Sequence, residues 1–527
     1  MSTALNYPAT QTPTQKALAR KYAGYLIFIL CASLYLLPFM RLFLGWPDEG
    51  LLVAGAARIA HGQVFARDFI EIMGPGTFYW VALFFKLFGV TFLATRICLF
   101  VSSLGTGLLL YFLSRRICDR YQVVPPILLA GTYFGGLWPT ISHHVDSNFF
   151  ALLSVALVVV WQEKRNSYLL AAAGVSAGFT TCILQPKGVL LLAALLLWLS
   201  TQYLRRAVSL SSIAQVCGGY ISVLGSVLVY FWSRHALWDL VYANFVWPSQ
   251  HYGGENVVPY AQGLVLVYWN GWAGAEHSAA WRAGLAAVLI LPLVLIAALP
   301  ALVPILGLGS RKNTAKPEIF LYWLCALALW FSEFHRRDIY HLVFGAPLLL
   351  VLCVYYLGCY RGKIADLALQ VLAISAVALA GFNLVFVLTA HSTTTRAGTI
   401  AMFNTDPVLA ALEKRVAPGQ EIFVYPYFPM YYFLSETTNP TRYSGLLYNA
   451  STPQQFEEVV RALDYRRVRY VVWDTGFQER AHRWIFPSVE SPRPDQLIIE
   501  PYLESHYQTV WTNHQGILLM ERKSQYQ

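Results

Sequence analysis

Charge is scarce in this 527-residue chain: Asp, Glu, Lys and Arg make up 13%, where soluble domains carry about 25%. With 57% hydrophobic residues and a mean hydropathy of +0.48, that scarcity excludes an ordinary soluble domain. Cysteine is also sparse. The eight thiols, at 31, 98, 118, 182, 217, 325, 353 and 359, all lie in or beside apolar runs. None falls in the polar C-terminal part, so no disulfide framework can be argued. HExxH and CxxC spacings are missing, which removes the usual metal motifs. No basic tail or basic face accounts for the net charge of +10, so a nucleic-acid partner is not expected. No small-residue cleavage site follows the first apolar run, which is read as a retained anchor.

What is abundant is apolar length. Runs close to the ~20 residues that cross a bilayer recur from near residue 23 to near residue 390 and then stop. Spans are expected near 23–43, 92–114, 123–139, 149–162, 168–184, 188–204, 213–232, 284–308, 318–333, 342–360 and 366–390. Lys16/Arg20/Lys21, Arg115/Arg116/Arg120, Lys164/Arg165, Arg205/Arg206, Arg311/Lys312/Lys316 and Arg361/Lys363 lie between these runs and are expected on the cytoplasmic side. The reading is a mainly α, polytopic helical protein of the cell (inner) membrane with about 11 crossings. Residues 1–22 form a cytoplasmic tail, 23–390 the membrane domain, and 391–527 a small extracytoplasmic α/β domain. Within the last, 421–425 and 469–473 read as buried strands and 453–463 as an amphipathic helix.

The first external loop, 44–91, carries the strongest chemical signal. Pro47 is placed to open one helix, Gly74-Pro75-Gly76 separates it from a second, and the stretch 76–88 is too short and, with Lys86, too charged to span. It reads as an interfacial helix. Asp48 and Glu49 follow Pro47 directly, beside a membrane crossing. They could favour a helix N-terminus, or one could act as general base on an acceptor hydroxyl or amine. Other external segments, 142–148, 185–187, 233–282 and 333–338, face the same side.

The order Asp48-Glu49, a helix ending near Gly62, Arg67-Asp68-Phe69, Gly74-Pro75 with Tyr79-Trp80, then Lys86-Leu87-Phe88-Gly89 and Arg96 resembles the first-loop signature of GT-C membrane glycosyltransferases. The branch it looks like holds protein O-mannosyltransferase-like, aminoarabinose transferase-like and Rgt-type enzymes. The motif likeness covers mainly 46–96, and more loosely 174–187 and 337–347. The resemblance implies a sugar donor on a polyprenyl phosphate, a catalytic carboxylate at Asp48 with Glu49 beside it, and a second acid at Asp146. It also implies a single displacement with inversion onto an extracytoplasmic acceptor. One position departs from the pattern. Aminoarabinose-transferase relatives carry a Lys immediately before the loop proline that contacts the lipid phosphate, whereas this chain has Met73-Gly74-Pro75.

A leaving phosphate needs cationic donors, and Arg58, Lys187, Arg336 and Arg337 are the candidates. Lys187 could equally snorkel to the interface. His335, Asp338 and His341 surround the arginine pair and are counted with the site. His143, His144 and Asp146 raise the question of a divalent metal, but three neighbours on one loop do not make a coordination geometry. No cofactor is required by this reading, and a metal is left open. Expected partners are the lipid-linked donor, the acceptor and membrane lipid. The rival reading is a lipid-linked sugar flippase or small-solute transporter, which calls for ionisable groups at mid-membrane and paired broken helices.

Overall fold

The computed structural model describes residues 15–132, 139–251, 257–264, 278–309, 317–360, 362–477, 479–480 and 491–524. The end of the 123–139 span, the Arg311/Lys312/Lys316 cluster, Arg361 and much of the 233–282 loop lie outside these residues.

Helices overlap all eleven expected spans. They are α1 (Gln15–Leu36), α4 (Phe92–Ile117), α5 (Val124–Ala130), α6 (His143–Lys164), α7 (Ser167–Ile183), α8 (Gln185–Leu204) and α9 (Leu210–Ser233), then α12 (Ala279–Gly309), α13 (Pro317–Ser332), the pair α14 (Ile339–Gly345) and α15 (Pro347–Cys359), and α16 (Lys363–Val387). Two short helices, α10 (Leu237–Val241) and α11 (Trp247–His251), follow α9 with a π-helical turn between them. Among the described residues seven helices are long and apolar enough to cross a membrane, or eight if α14 and α15, bent by 67°, count as one span. α7 and the Glu318–Ser332 stretch of α13 are apolar but shorter. Glycine sets the tightest contact in the bundle: a Cβ at Gly174 of α7 would run into the Val216 carbonyl of α9, and one at Gly219 into the Ala171 carbonyl. Small residues at such spacing let helix backbones approach where apolar burial alone gives no drive.

Two further helices fill the first loop as its punctuation predicts. α2 (Pro47–Ala60) begins at Pro47 with Asp48 and Glu49 in its first turn, and α3 (Pro75–Phe88) begins at Pro75. α3 turns Phe78, Val81, Ala82 and Phe85 inward and leaves Leu83, Lys86 and Leu87 exposed, the two-faced pattern of a helix at an apolar boundary.

Beyond α16 the chain forms a hairpin of β1 (His391–Thr395) and β2 (Gly398–Met402), then α17 (Pro407–Arg415), β3 (Ile422–Tyr425), α18 (Met430–Leu434), α19 (Pro453–Tyr465), β4 (Tyr470–Asp474), α20 (Ile499–His506), β5 (Tyr507–Thr512) and β6 (Ile517–Arg522). The four-stranded sheet has the order β3-β4-β6-β5, with β3 and β4 parallel and the other pairs antiparallel. Phe456, Val459 and Leu463 of α19 pack with Phe423, Tyr425 and Val471 of the sheet. The region is fastened to the first loop. The Phe43 N–H donates to the Ala401 carbonyl at 2.8 Å and the Ile70 N–H to the Arg442 carbonyl at 2.9 Å. A Cβ at Gly50 would collide with the Met430 backbone, so this glycine lets α18 lie directly on α2.

Candidate active site

The first-turn acids of α2 have opposite environments. Glu49 is buried and pairs with the buried guanidinium of Arg96, which also donates to the Leu42 carbonyl. The Ile141 N–H donates to Glu49 at 3.0 Å, so this carboxylate joins the first loop to the chain entering α6. Asp48 is exposed and accepts one hydrogen bond, 2.6 Å from the Tyr427 hydroxyl of the C-terminal region.

The residue that sequence reasoning missed is Glu71. It is buried with Oε1 unpartnered among the described residues, close enough to Asp48 and Arg58 to feel both charges and with Ser444 beside it. Burial pushes its carboxyl up to about 8; Asp48 adds to the rise, while Ser444 and Arg58 oppose it. The available signal was one acid set among apolar residues in Phe69-Ile70-Glu71-Ile72, but nothing in the sequence places it next to Asp48.

The other expected acid, Asp146, is enclosed where α4 meets α6. Ser102 donates to its Oδ1 at 2.7 Å, while Oδ2 has no hydrogen-bond partner among the described residues. Trp80 of α3 in turn donates to Ser102 at 3.2 Å.

Of the four expected phosphate-binding cations, three are already engaged. Arg58 donates to Gln63, to the Thr441 carbonyl at 3.0 Å and to the Asp68 carbonyl at 2.8 Å, which pins the end of α2 to the C-terminal region. Lys187 is fully buried rather than snorkelling, 2.7 Å from Glu333 Oε1 and 2.7 Å from Asn148 Oδ1. Arg336 pairs with Asp338 at 2.6 Å. The Arg337 side chain has no hydrogen-bond or ion-pair partner among the described residues, although its backbone carbonyl accepts from Ala261.

The histidines gather around the same Glu333. His144 Nδ1 lies 3.0 Å from Glu333 Oε2, the His143 ring centroid lies 4.1 Å from that of His144, and His144 neighbours His335 and His341. Asp338 caps α14 by accepting from the His341 N–H at 3.0 Å and also accepts from the His341 ring at 2.7 Å. Burial would raise the Asp338 carboxyl, yet His341 and Arg336 hold it at about 2. A metal-capable group is present, but its composition differs from the expected trio. His144 belongs to it together with His335 and His341, while His143 and Asp146 do not.

The polar residues thus form two groups, Asp48 with Glu71 and Tyr427, and His144 with Lys187, Glu333, His341 and Asp338. The remaining external segments tie in here. Gln185 donates to Asn244 at 3.1 Å, and Asn244 donates to the Met73 carbonyl at 3.2 Å. Gly74 explains the missing lysine, because a Cβ at that position would fall on the Cys182 carbonyl oxygen.

Residues 73–232 match the family model for dolichyl-phosphate-mannose-protein mannosyltransferase. The chain also resembles ArnT from Cupriavidus metallidurans. The crystal structure bound to undecaprenyl phosphate aligns over 95% of this chain and 99% of its own, at 12% identity and TM-score 0.55. The apo structure aligns over 96% and 99%, at 11% identity and TM-score 0.57. The fold is the GT-C-like fold of the ArnT structures. No curated protein sequence matches the chain. With this GT-C fold and its apolar helices, the chain is a multi-pass membrane protein.

Proposed function

We propose that the chain transfers one sugar from a polyprenyl-phosphate donor to an extracytoplasmic acceptor, with Asp48 receiving the acceptor's proton. The acceptor oxygen or nitrogen forms a bond to the anomeric carbon while the bond from that carbon to the phosphate oxygen breaks on the opposite face. The configuration inverts, the bonding pair leaves with the polyprenyl phosphate, and the proton passes to Asp48. The observation that carries this reading is the division of the acidic pair. Glu49 is neutralised in the interior, whereas Asp48 stays exposed with a single hydroxyl partner. A general base must keep a free lone pair within reach of the proton it takes.

Glu71 supports Asp48: a carboxyl that titrates near 8 is largely protonated at neutral pH and does not add a second negative charge beside the base. Arg337, whose guanidinium is unengaged among the described residues, is the best of the four cations for the leaving phosphate, with Arg336 next to it. Arg58 and Lys187 act on this reading as positioning residues rather than phosphate ligands. The donor class draws support from the neighbouring ArnT structure described as bound to undecaprenyl phosphate and from the mannosyltransferase model over 73–232. The charge pattern of the loops supports a cytoplasmic N-terminus in an inner membrane and a C-terminal region outside.

The flippase or transporter reading gains little. Among the described residues one bent helix pair occurs, α14 and α15, without a matching second pair. Lipid and envelope-glycan mass spectrometry of a strain lacking this chain tests the proposal. A sugar-bearing polyprenyl phosphate should accumulate and one sugar should vanish from an envelope product, both restored by the intact chain but not by Asp48→Asn. Solute counterflow in proteoliposomes with no covalent product would favour the rival.

A further inference from the structure

We propose that His144, His335 and His341 form a binding site for a divalent cation of the zinc class. One ring nitrogen from each lies within 4.8 Å of the others, and the three residues come from two different places in the fold, the first turn of α6 and the segment around the start of α14.

The atoms behind the rings make the case stronger than proximity does. His335 Nδ1 lies 3.1 Å from the Ser332 carbonyl oxygen, which can only accept, so this nitrogen carries the proton. His341 Nδ1 lies 2.7 Å from Asp338 Oδ1, and His144 Nδ1 lies 3.0 Å from Glu333 Oε2. His335 and His341 therefore hold Nδ1 against an oxygen acceptor, which leaves the lone pair of each on Nε2, while His144 Nδ1 stands at ion-pair distance from Glu333 without hydrogen-bond geometry. A metal-ligating histidine characteristically hands its other N–H to a carboxylate or carbonyl in this way.

Ring orientation agrees. The His341 ring stands at 88° to His144 and 89° to His335, so its nitrogen approaches from a different direction than theirs. Tetrahedral zinc with nitrogens at about 2.1 Å needs them about 3.4 Å apart. Side-chain rotation of the exposed His335 and the half-buried His341 can close that gap.

The donor set fixes the class of ion. Three neutral imidazoles suit zinc and its transition-metal neighbours, whereas magnesium and calcium seek oxygen. The carboxylates behind them are each already paired, Glu333 with Lys187 and Asp338 with Arg336, so they brace the rings without leaving an open anionic pocket. Three protein ligands leave a fourth position for water. A bound ion would fasten the 333–341 segment to α6.

The test uses full-length protein in detergent, purified through a tag free of histidine, stripped with chelator and titrated with zinc chloride. One equivalent of zinc should bind, measured by inductively coupled plasma mass spectrometry after desalting, and should raise Tm. His335→Ala/His341→Ala should lose the ion and the Tm rise. Asp338→Asn should weaken zinc about 10- to 100-fold through the lost brace. His335→Gln, altered only at an exposed position, keeps the test decisive if the double variant does not fold, because it too should weaken zinc at least about tenfold. Failure of the intact chain to hold stoichiometric zinc, undiminished zinc in His335→Gln, or equally tight magnesium would each overturn the proposal. None of these readings depends on sugar transfer, so the metal site and the enzymatic reading can fail separately.

Discussion

At Glu333 both carboxylate oxygens meet a partner in full burial, Lys187 on one side and His144 on the other. At Asp48 an exposed carboxylate meets one tyrosine hydroxyl, and the acid nearby, Glu71, has an oxygen with no hydrogen-bond partner among the described residues. Both places are made of loop acids at helix ends, yet one is closed by buried ion pairs and the other has no opposite charge paired to it among the described residues. A buried ion-paired network holds elements together, and removing any member strands a charge. An acid without an ion pair has capacity left for a substrate. The same contrast separates Asp48 from Glu49 within one turn of α2.

The sharpest way to break the comparison is to unpair the ion-paired side. Lys187→Met or Glu333→Gln alone should destabilise the folded chain by about 3–5 kcal/mol, read as a lost thermal transition or low recovery in detergent. The Lys187→Met/Glu333→Gln double variant should cost less than the sum of the two. Full additivity would mean that the pair is not coupled. Glu49→Gln should behave like these variants, since it leaves Arg96 buried without its counter-charge, and should lower Tm rather than act on transfer alone.

Glu71 sharpens the other side through pH. Its carboxyl is raised in the folded chain from the ordinary 4.5 to about 8, so its stabilising contribution is complete below about pH 4.5 and is lost as pH climbs through about 8. Relative to Glu71→Gln, the intact chain should therefore lose several kcal/mol of stability between these limits. Parallel Tm curves for the two proteins would contradict the assignment. The smallest effect is expected at Tyr427→Phe, which removes one hydrogen bond to Asp48, worth about 1 kcal/mol. Transfer should change by about fivefold, with Tm nearly constant.

The sequence revealed what local rules dictate. Pro47 and Gly74-Pro75 placed the starts of α2 and α3 because proline fits the first turn of a helix, where its missing N–H costs nothing. The apolar stretches at 421–425 and 469–473 became β3 and β4, and Pro453 opened α19. β5 and β6 were not anticipated, because Gln508 and Thr509 of β5 face solvent and blur the apolar signal. What stayed hidden at the site was partnership across the chain. Asp48 and Tyr427 are 379 positions apart, and Glu49 and Arg96, both visible in the motif, gave no sign that one would neutralise the other. The gathering of His144, Lys187 and Glu333 likewise depends on how α6, α8 and the end of α13 pack. Gly74 read only as a departure from a pattern; the structure supplies the reason, a backbone contact with α7 that leaves no room for a side chain.

The most direct measurement is sugar transfer by purified Asp48→Asn from a synthetic polyprenyl-phosphate donor, with Tm recorded on the same sample. A general base that is lost while the fold is kept should lower the rate by about 10²- to 10⁴-fold at unchanged Tm. Transfer at the rate of the intact chain would contradict the account.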